Sequence, residues 1–256
     1  MALENPNTQS PEARDKAPWQ HDKKADELEH IGKPIRKVDA RSKVSGLTQF
    51  ADDLTMPRML HMKLLRSTKA HAELAHIDTS KAAALPGVKG ILTGKDMPTP
   101  FGILPVSQVE HALCPDQVRF VGDPIVAIAA TEEETAWDAC RLVDVDYREL
   151  QTVGGVHEAA ATDEPRLHDY GVRGNIHRLE NLEFGDLDDG FERADHTRED
   201  TFWFEGNTHL PMEQHASLAH FDRDGKLTIW SSTQTPHYLH RALARVLAPL
   251  PANRIR

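Results

Sequence analysis

The residues of this 256-residue sequence that could do chemistry are fifteen histidines, many carboxylates and two cysteines. His209 and His215 lie close together in sequence, and imidazole nitrogens are common zinc ligands. Their spacing does not give the His-Glu-x-x-His pattern, in which both imidazoles face one side of a helix. No cysteine pair lies beside them. A zinc hydrolase that uses His209 and His215 is therefore a disfavoured hypothesis.

The two cysteines, Cys114 and Cys140, lie far apart in apolar stretches. We expect two reduced thiols in the core, because free cysteine is among the most buried residue types. A disulfide would require the fold to bring the two together. An iron–sulfur cluster needs about four thiolates, so any such cluster must lie on another chain.

Three short polar stretches are expected to be structural. Gly122–Pro124 lacks the Gly-Lys-Ser/Thr that follows in a phosphate loop, so we predict a turn before a buried strand. Asp52-Asp53 and Arg66-Ser67 are expected to be turns or salt-bridged caps.

Composition and charge narrow the class of protein. Hydrophobic residues make up 39% of the chain, enough for a core, and the formal net charge of -10 argues against a nucleic-acid surface. No apolar run approaches the roughly eighteen residues of a membrane span. The N-terminal region has no signal-peptide core or twin-arginine pair. We expect a cytoplasmic protein with no nucleic-acid or membrane partner.

Residues 31–150 predict an α+β domain, in which strands are mixed with short helices. The predicted strands are Leu60–Leu65, Val88–Thr93, Ile125–Ala130 and Val143–Tyr147. A short helix is predicted over Ser80–Leu85. Thr131 and Glu134 have the spacing of a capping box and predict a second helix.

Two segments lack the pattern of a packed domain. Residues 1–30 have almost no β-branched or aromatic side chains, which predicts a flexible N-terminal arm. Residues 151–200 are irregular and charged, and we interpret them as a linker. Within the linker, Gly185–Gly190 predicts a turn or loop.

Residues 201–256 predict a second domain that is incomplete. Asp224-Gly225 is a strong hairpin signal, and Thr235-Pro236 offers an N-cap and a first helical residue. The predicted strands are Thr201–Gly206, Ser217–Phe221 and Leu227–Trp230. One hairpin and one helix cannot bury their own apolar faces.

Several stretches, taken in order, carry a family signature. They are IGKPIRKVDARSKVSG (Ile31–Gly46), FADDL (Phe50–Leu54), LLRSTKAHAELAHID (Leu64–Asp78), ALPGVKGILTGKDMP (Ala84–Pro98), VRFVGDPIVAIAATEEETAWDA (Val118–Ala139), VDYREL (Val145–Leu150) and EGNTHLPMEQHASLAHFDRDGKLTIWSSTQTPH (Glu205–His237). Their order and spacing resemble the large, molybdenum-binding subunits of the xanthine dehydrogenase and aldehyde oxidase family. Phe101–Leu113 is most similar to the alpha subunit of the 4-hydroxybenzoyl-CoA reductase branch.

The resemblance implies an α/β hammerhead domain over residues 31–150, followed by the beginning of a molybdopterin-binding domain over residues 201–256. It also implies a molybdopterin cofactor, expected in its cytosine dinucleotide form, with 2Fe-2S and FAD on partner chains. The family's Gly-Gly-x-Phe-Gly-Gly pterin segment and its catalytic glutamate do not occur in this sequence. We therefore expect either a complementing chain that carries the Gly-rich segment or a longer polypeptide of which this chain is a fragment. We expect no catalytic residue or metal ligand here.

The resemblance also assigns candidate cofactor-binding residues. Asn207 matches the amide of a G-Q-x-H-type stretch beside the metal's oxo group, although it is one methylene shorter; its alternative role is a loop amide bonded to backbone. Glu213 is expected to be structural or to pair with a cation. Gln234 and Thr235 begin a helix, and a helix N-terminus suits a cofactor phosphate, with simple capping as the alternative.

The implied function is a part of a molybdenum hydroxylase or dehydrogenase that is inactive alone. An aldehyde, an N-heterocycle and an aromatic acyl-CoA all stay open as substrates. The alternative hypothesis is a non-catalytic hammerhead module used for binding and assembly.

Overall fold

The computed structural model describes residues 28–256 except residues 103, 105 and 106. The chain divides into two compact units, Met1–Gln49 and Phe50–Arg256. The described part of the first unit contains the short helix α1 (Ala40–Val44). Its preceding residue, Asp39, pairs with Lys43 at 2.7 Å. Most of the predicted arm, residues 1–27, lies outside the described residues.

The second unit mixes strands with short helices, as the sequence predicts. Its strands are β1 (His61–Arg66), β2 (Ala72–Asp78), β3 (Val88–Thr93), β4 (Gln117–Val118), β5 (Pro124–Ala130), β6 (Asp144–Glu149), β7 (Ser217–Phe221) and β8 (Leu227–Ser231). Its helices are α2 (Ser80–Ala84), α3 (Glu133–Leu142), α4 (Val156–Ala161), α5 (Leu187–Glu192) and α6 (Pro236–Val246), with 3-10 turns at Ala51–Asp53 and Ala252–Arg254.

Strand β5 is the central strand of an antiparallel sheet with the order β1-β5-β3. Ile125, Val126 and Ile128 are fully buried, because strands cover both edges of β5 and α3 packs against it. Helix α3 contributes three buried residues with helical spacing: Ala136, Ala139 and Cys140. The prediction of a strand covered on both faces is confirmed.

A second antiparallel sheet has the order β4-β2-β6, and the buried imidazole of His71 secures one end of it. His71 Nδ1 lies 2.6 Å from the carbonyl oxygen of Gln151, and its Nε2 lies 2.5 Å from the side-chain nitrogen of Gln117. Because a carbonyl only accepts, Nδ1 carries the proton and Nε2 accepts from Gln117. The neutral imidazole therefore links the start of β2, strand β4 and the chain that leaves β6.

Strands β7 and β8 form the predicted hairpin, with Leu218 opposite Trp230. Gly225 adopts a φ of 77° in the turn, which suits glycine. At the far end of the chain, Ile255 forms a parallel bridge to Leu227. The hairpin is a two-stranded sheet, and the bridge places Ile255 beside β8 without adding a strand.

The turn predicted at Gly122–Pro124 is confirmed, whereas Asp52-Asp53 lie in a 3-10 turn and Arg66 is the last residue of β1. The Asp53 carboxylate accepts the N–H of Phe50 at 2.9 Å. The Ser67 N–H donates to the carbonyl of Asp123 at 2.8 Å, and Arg66 donates to the carbonyl of Gly122 at 2.9 Å. Gly122 itself turns the chain into β5 with a φ of 99°.

The helix predicted after Thr131 is confirmed as α3, but its capping box and the loop predicted over Gly185–Gly190 are wrong. Glu132 is the N-cap of α3 and makes no side-chain cap, because the Thr131 N–H is still bonded to the carbonyl of Gly87 as the chain leaves β5. The capping box of Thr131 and Glu134 therefore does not form. The loop predicted over Gly185–Gly190 is helical from Leu187, since the Asp186 carboxylate caps the N–H of Asp189 at 3.0 Å.

The predicted strand over Thr201–Gly206 is also wrong. Residues 201–206 have no regular secondary structure. A strand is stable only when a neighbouring strand pairs with its backbone, and no strand of the described chain pairs with residues 201–206. Within the described residues, none of the helices has the length and apolar character needed to cross a membrane.

Shortening the Ile128 side chain tests the central position of β5. We expect Ile128→Ala to lower the free energy of unfolding by about 2–5 kcal/mol, because it leaves a cavity in a fully packed strand. Met62→Ala in β1 is the control, since Met62 is 59% exposed, and should change stability by about 0.5 kcal/mol or less. Urea unfolding measures both variants. Equal losses would contradict the burial of Ile128.

Candidate functional site

Helix α6 begins at Pro236 with Thr235 at the N-cap position, where the sequence predicts it. The Thr235 carbonyl accepts the N–H groups of Tyr238 and Leu239, both at 3.1 Å. Its side chain makes no capping hydrogen bond and lies 3.3 Å from the Thr233 hydroxyl instead. A side-chain cap is therefore absent, and Thr235 caps the helix through its backbone alone.

The start of α6 offers few donors to an anionic ligand. Pro236 has no N–H, and the Thr235 N–H donates to the Thr233 hydroxyl at 3.1 Å. Within the described part of the chain, the N–H of His237 and the amide of Gln234 have no hydrogen-bond partner. A ligand at this helix end would meet one backbone donor and one side-chain amide.

Asn207 and Glu213 lie in the irregular stretch 201–216, and both are exposed. Among the described residues, neither side chain has a hydrogen bond or an ion pair. The Asn207 amide therefore does not bond to its own backbone, and no cation pairs with Glu213 in the described chain. No described contact joins Asn207 to Gln234 or Thr235, so the structure does not bring the three candidates together.

The residues around Asn207 are unusually apolar for an exposed stretch. The three consecutive aromatic residues Phe202, Trp203 and Phe204 are 89%, 86% and 83% exposed, and Met212 is fully exposed. Covering an aromatic side chain of this kind stabilises a protein by about 1.5–3 kcal/mol. A contiguous exposed apolar stretch typically marks an interaction surface.

A separate cavity of about 410 Å³ lies between residues 107–124 and residues 168–170. Six of the residues that line it are Val109, His111, Arg119, Phe120, Asp123 and Tyr170. The cavity combines aromatic and aliphatic walls with several titratable groups.

Asp123 is the central polar group of this cavity. Its Oδ2 accepts the N–H of Arg119 at 3.0 Å, and the other oxygen has no partner among the described residues. Burial raises the pKa of Asp123, although the charges of Arg119, His111 and Arg66 oppose the rise. The surroundings therefore compensate this carboxylate incompletely.

The Arg119 guanidinium is held by the protein itself. Its Nε donates to the carbonyl of Leu167 at 2.5 Å, and its Nη1 donates to the carbonyl of Gln117 at 2.8 Å. These bonds tie the residue 168–170 wall of the cavity to β4. The guanidinium stands beside Asp123 without forming an ion pair with it.

Two histidines complete the polar lining. The Nδ1 of His111 is buried and has no hydrogen-bond partner in the described chain. Burial lowers the pKa of His168, so this ring is neutral at neutral pH. The His168 ring lies against Tyr170 with centroids 5.3 Å apart.

Both cysteines are free and buried, as predicted. Burial raises the pKa of Cys114 to about 11, and its Sγ donates to the Gln117 carbonyl at 2.8 Å. This thiol lines the cavity but is protonated and unreactive at neutral pH. Among the described residues, no group of three or more His, Cys, Asp or Glu side chains is placed to hold a metal ion.

The sequence did not reveal this cavity, because its polar groups come from segments about fifty residues apart. In the sequence, Asp123 was notable only as the middle residue of a predicted Gly-Asp-Pro turn. Its position directly before a fully apolar strand could have indicated the cavity. A charged residue at that position lies at the edge of the core, where its charge is poorly solvated.

Residues 45–151 match the a/b hammerhead domain of aldehyde oxidase and xanthine dehydrogenase, and residues 167–256 match the molybdopterin cofactor-binding domain. The chain is 36% identical over 228 residues to the nicotinate dehydrogenase large molybdopterin subunit of Eubacterium barkeri, an alignment that covers 88% of this chain and 52% of the relative. It is 37% identical over 229 residues to a probable xanthine dehydrogenase subunit of Bacillus subtilis (strain 168), covering 88% of this chain and 30% of the relative.

The fold is similar to that of quinoline 2-oxidoreductase from Pseudomonas putida 86, with a TM-score of 0.78 and 27% identity, covering 86% of this chain and 29% of that structure. A Cu,Mo-containing CO dehydrogenase gives a TM-score of 0.75 at 28% identity, covering 88% of this chain and 30% of that structure. The chain thus spans about half, or less than half, of the length of these relatives.

The raised pKa of Asp123 predicts a pH-dependent effect of Asp123→Asn on stability. Burial disfavours the ionised carboxylate in the folded state, so this group destabilises the wild-type protein as pH rises above the unfolded value of about 4. The asparagine oxygen can still accept the Arg119 N–H. We expect the variant to gain stability relative to the wild type between about pH 4 and pH 7. Urea unfolding at several pH values measures the difference.

The matched control is Asp195→Asn, because Asp195 is exposed and has no ion pair among the described residues. We expect no such pH trend for it. A variant of Asp123 that loses stability relative to the wild type as pH rises would show that the carboxylate is well compensated.

Proposed function

Because this chain belongs to the xanthine dehydrogenase and aldehyde oxidase family, as part of its large molybdopterin subunit, we propose that it builds one side of the molybdopterin site of an oxidoreductase complex. The observation that carries the proposal is the ordered match of both halves, the hammerhead domain and then the cofactor-binding domain. A hammerhead module that served only for binding and assembly would not require the cofactor-binding domain. The cofactor-binding match therefore favours the catalytic assembly over the assembly module.

The residues of the second half fit a partial role in holding the cofactor. The amides of Asn207 and Gln234 and the N–H of His237 are donors without partners in the described chain. Pterin and phosphate groups are rich in acceptors, so these donors are chemically suited to them. They are too few to hold such a ligand alone.

Each candidate residue has a distinct proposed role. Asn207 donates a hydrogen bond toward the metal centre, and Gln234 binds the pterin or phosphate side of the cofactor. It does so together with the helix start at Thr235, where the N–H of His237 is the unpartnered backbone donor in the described chain. Glu213 orients neighbouring groups and takes no direct part. The bound cofactor supplies oxygen transfer to or from a substrate carbon and accepts or releases the electrons. The protein's contribution is to position the cofactor and to exclude water around it.

The exposed aromatic stretch supports a further segment as partner. Phe202, Trp203 and Phe204 carry apolar surface that the described chain leaves uncovered. The remainder of the large subunit, with the Gly-rich pterin segment, covers this stretch whether it comes from the same polypeptide or from a complementing one. The residue 201–256 domain is thereby completed.

The assembly also contains an electron-transfer route. The two cysteines of this chain are buried and separate, so the 2Fe-2S clusters lie on other domains or subunits, and FAD accepts the electrons there. The cofactor is the cytosine dinucleotide form of molybdopterin, and the complex is cytoplasmic. Similarity to nicotinate dehydrogenase and quinoline 2-oxidoreductase supports an N-heterocycle as substrate, ahead of an aldehyde or aromatic acyl-CoA.

The metal content of the native assembly tests the proposed function. The assembly is isolated from its host by an affinity tag on this chain. We expect stoichiometric molybdenum by mass spectrometry, and a pterin that fluoresces after oxidation. The chain expressed alone should contain neither, because its donors are too few. A native form that is monomeric and free of cofactor would overturn the proposal and support the assembly module.

Substitution of Asn207 tests the site within that assembly. Asn207→Ala removes the proposed donor and should lower kcat about 10–100-fold, as loss of a supporting hydrogen bond at a metal site commonly does, while molybdenum content stays unchanged. Asn207→Gln keeps the amide and should retain activity within a few-fold.

The control for Asn207 is Asn181→Ala, which removes an exposed amide whose one partner among the described residues is Glu183, and it should leave kcat unchanged. Steady-state kinetics and metal analysis on the same preparations separate loss of activity from loss of cofactor. An Asn207→Ala enzyme with wild-type kcat would remove Asn207 from the site.

A further inference from the structure

A second cavity lies between helix α6 and the segment that contains Phe101 and Gln108. Its volume of about 400 Å³ lies in the range of small-molecule sites, about 300–1,000 Å³. Helix α6 contributes Tyr238, Arg241 and Arg245 to its wall, and we call it the arginine cavity. None of the residues that we propose to hold the cofactor lines it.

The arginine cavity carries positive charge without a counter-charge. Arg241 and Arg245 stand four residues apart on one face of α6, where like charges repel each other. Neither arginine has an ion pair in the described chain, and none of the described residues that line the cavity is acidic. In a protein whose formal net charge is -10, two neighbouring cations thus lack a carboxylate partner.

The Gln108 amide holds Arg245 in place. Its Nε2 donates to the carbonyl oxygens of Gly102 and Leu104, at 2.7 and 2.9 Å. Its Oε1 therefore faces the helix and accepts from the Arg245 Nη1 at 2.5 Å. Glycine is needed at position 102, because a Cβ there would lie 1.8 Å from the carbonyl oxygen of Ser107. Specific contacts between segments 137 residues apart thus build the cavity wall.

The polar atoms of this cavity that retain bonding capacity are mainly donors. The Nε and Nη2 of Arg245, and every guanidinium N–H of Arg241, have no hydrogen-bond partner among the described residues. Arg241 lies over the Tyr238 ring, 4.5 Å from its centroid, and the Tyr238 hydroxyl can donate or accept. Both arginines are exposed, so a ligand can reach their donors. Planar carboxylates match the fork of guanidinium donors.

The rest of the lining favours a ligand with an apolar ring. Phe101, Tyr238 and Ala242 provide aromatic and aliphatic surface beside the guanidinium groups. The position of Arg245 also has a structural explanation, because cations stabilise the last turn of a helix. Arg241 lies one turn earlier, where that effect is weak. An anion in the cavity accounts for both arginines.

We propose that the arginine cavity binds a small aromatic carboxylate. The carboxylate oxygens accept from the guanidinium groups of Arg241 and Arg245, and the bound charge relieves the repulsion between them. The ring packs against Phe101 and Ala242. The proposal does not depend on the proposed molybdopterin function.

Binding of benzoate to the full chain, followed by isothermal titration or by NMR shifts, tests the proposal. We expect a dissociation constant in the millimolar range or below. Benzamide has nearly the same shape without the charge and should bind at least about tenfold more weakly, since hydrogen bonds to charged groups are the stronger ones. Acetate has the charge without the ring and should bind at least about fivefold more weakly than benzoate, because it buries less apolar surface.

Substitutions locate the binding. Arg241→Gln and Arg245→Gln each remove one cation and should each weaken benzoate binding at least about fivefold. Arg223→Gln is the matched control, because Arg223 is exposed and has no ion pair among the described residues, and it should leave binding unchanged. Phe101→Ala should weaken the binding of benzoate but not that of acetate. Circular dichroism confirms that each variant is folded.

The proposal fails if benzoate does not bind, if benzamide or inorganic phosphate binds as tightly as benzoate, or if both arginine variants bind benzoate like the wild type. It also fails if benzoate binds the chain alone but the native assembly has no binding that Arg241→Gln removes, since the cavity is then a protein contact. If Phe101→Ala does not fold, the arginine variants decide. A preparation without molybdenum can still bind benzoate, so this test and the molybdenum test fail independently.

Discussion

The burial of β5 is the constraint on which the hammerhead half depends. Ile125, Val126 and Ile128 are fully buried, and at about 1.5–3 kcal/mol for each such side chain they make a dominant contribution to that half. Because β5 is central, the residues that lead into it are also held in place. The Cys114 N–H donates to the Pro124 carbonyl at 2.7 Å. Asp123 is therefore held at the edge of the core by the packing of its neighbours, and its carboxyl is poorly hydrated for that reason.

The cofactor-binding half has few buried apolar side chains among its described residues. Among its described residues, the buried apolar side chains are Leu227 and Ile255, while the aromatic stretch at residues 202–204 stays exposed. Apolar surface left uncovered and amide donors left without partners occur in the same segment, around Asn207. Both features fit the proposed site, in which further protein and a ligand rich in acceptors would complete this surface.

Much of the fold was predictable, since periodicity and turn residues are local signals. Val88–Thr93 and Ser217–Phe221 were predicted with the observed bounds. Strand β2 was missed because its pairing with β6 shifts register between Leu74 and His76, which interrupts the alternation of side chains. The capping box at Thr131 failed because the outgoing strand still engages its backbone. Tertiary context overrode the local signal in both cases.

Local sequence patterns located one of the two sites, the start of α6, but not the cavity beside Asp123. The start of α6 was located from Thr235 and Pro236 alone, since an N-cap and a first-turn proline are adjacent in sequence. The cavity required Arg119 to reach the carbonyl of Leu167, 48 residues away, and no local pattern encodes such a contact. That bond also explains why the Asp123 carboxylate is incompletely compensated. The nearby guanidinium donates to two carbonyl oxygens instead. The fold thus secures the cavity wall and leaves one Asp123 oxygen without a partner among the described residues.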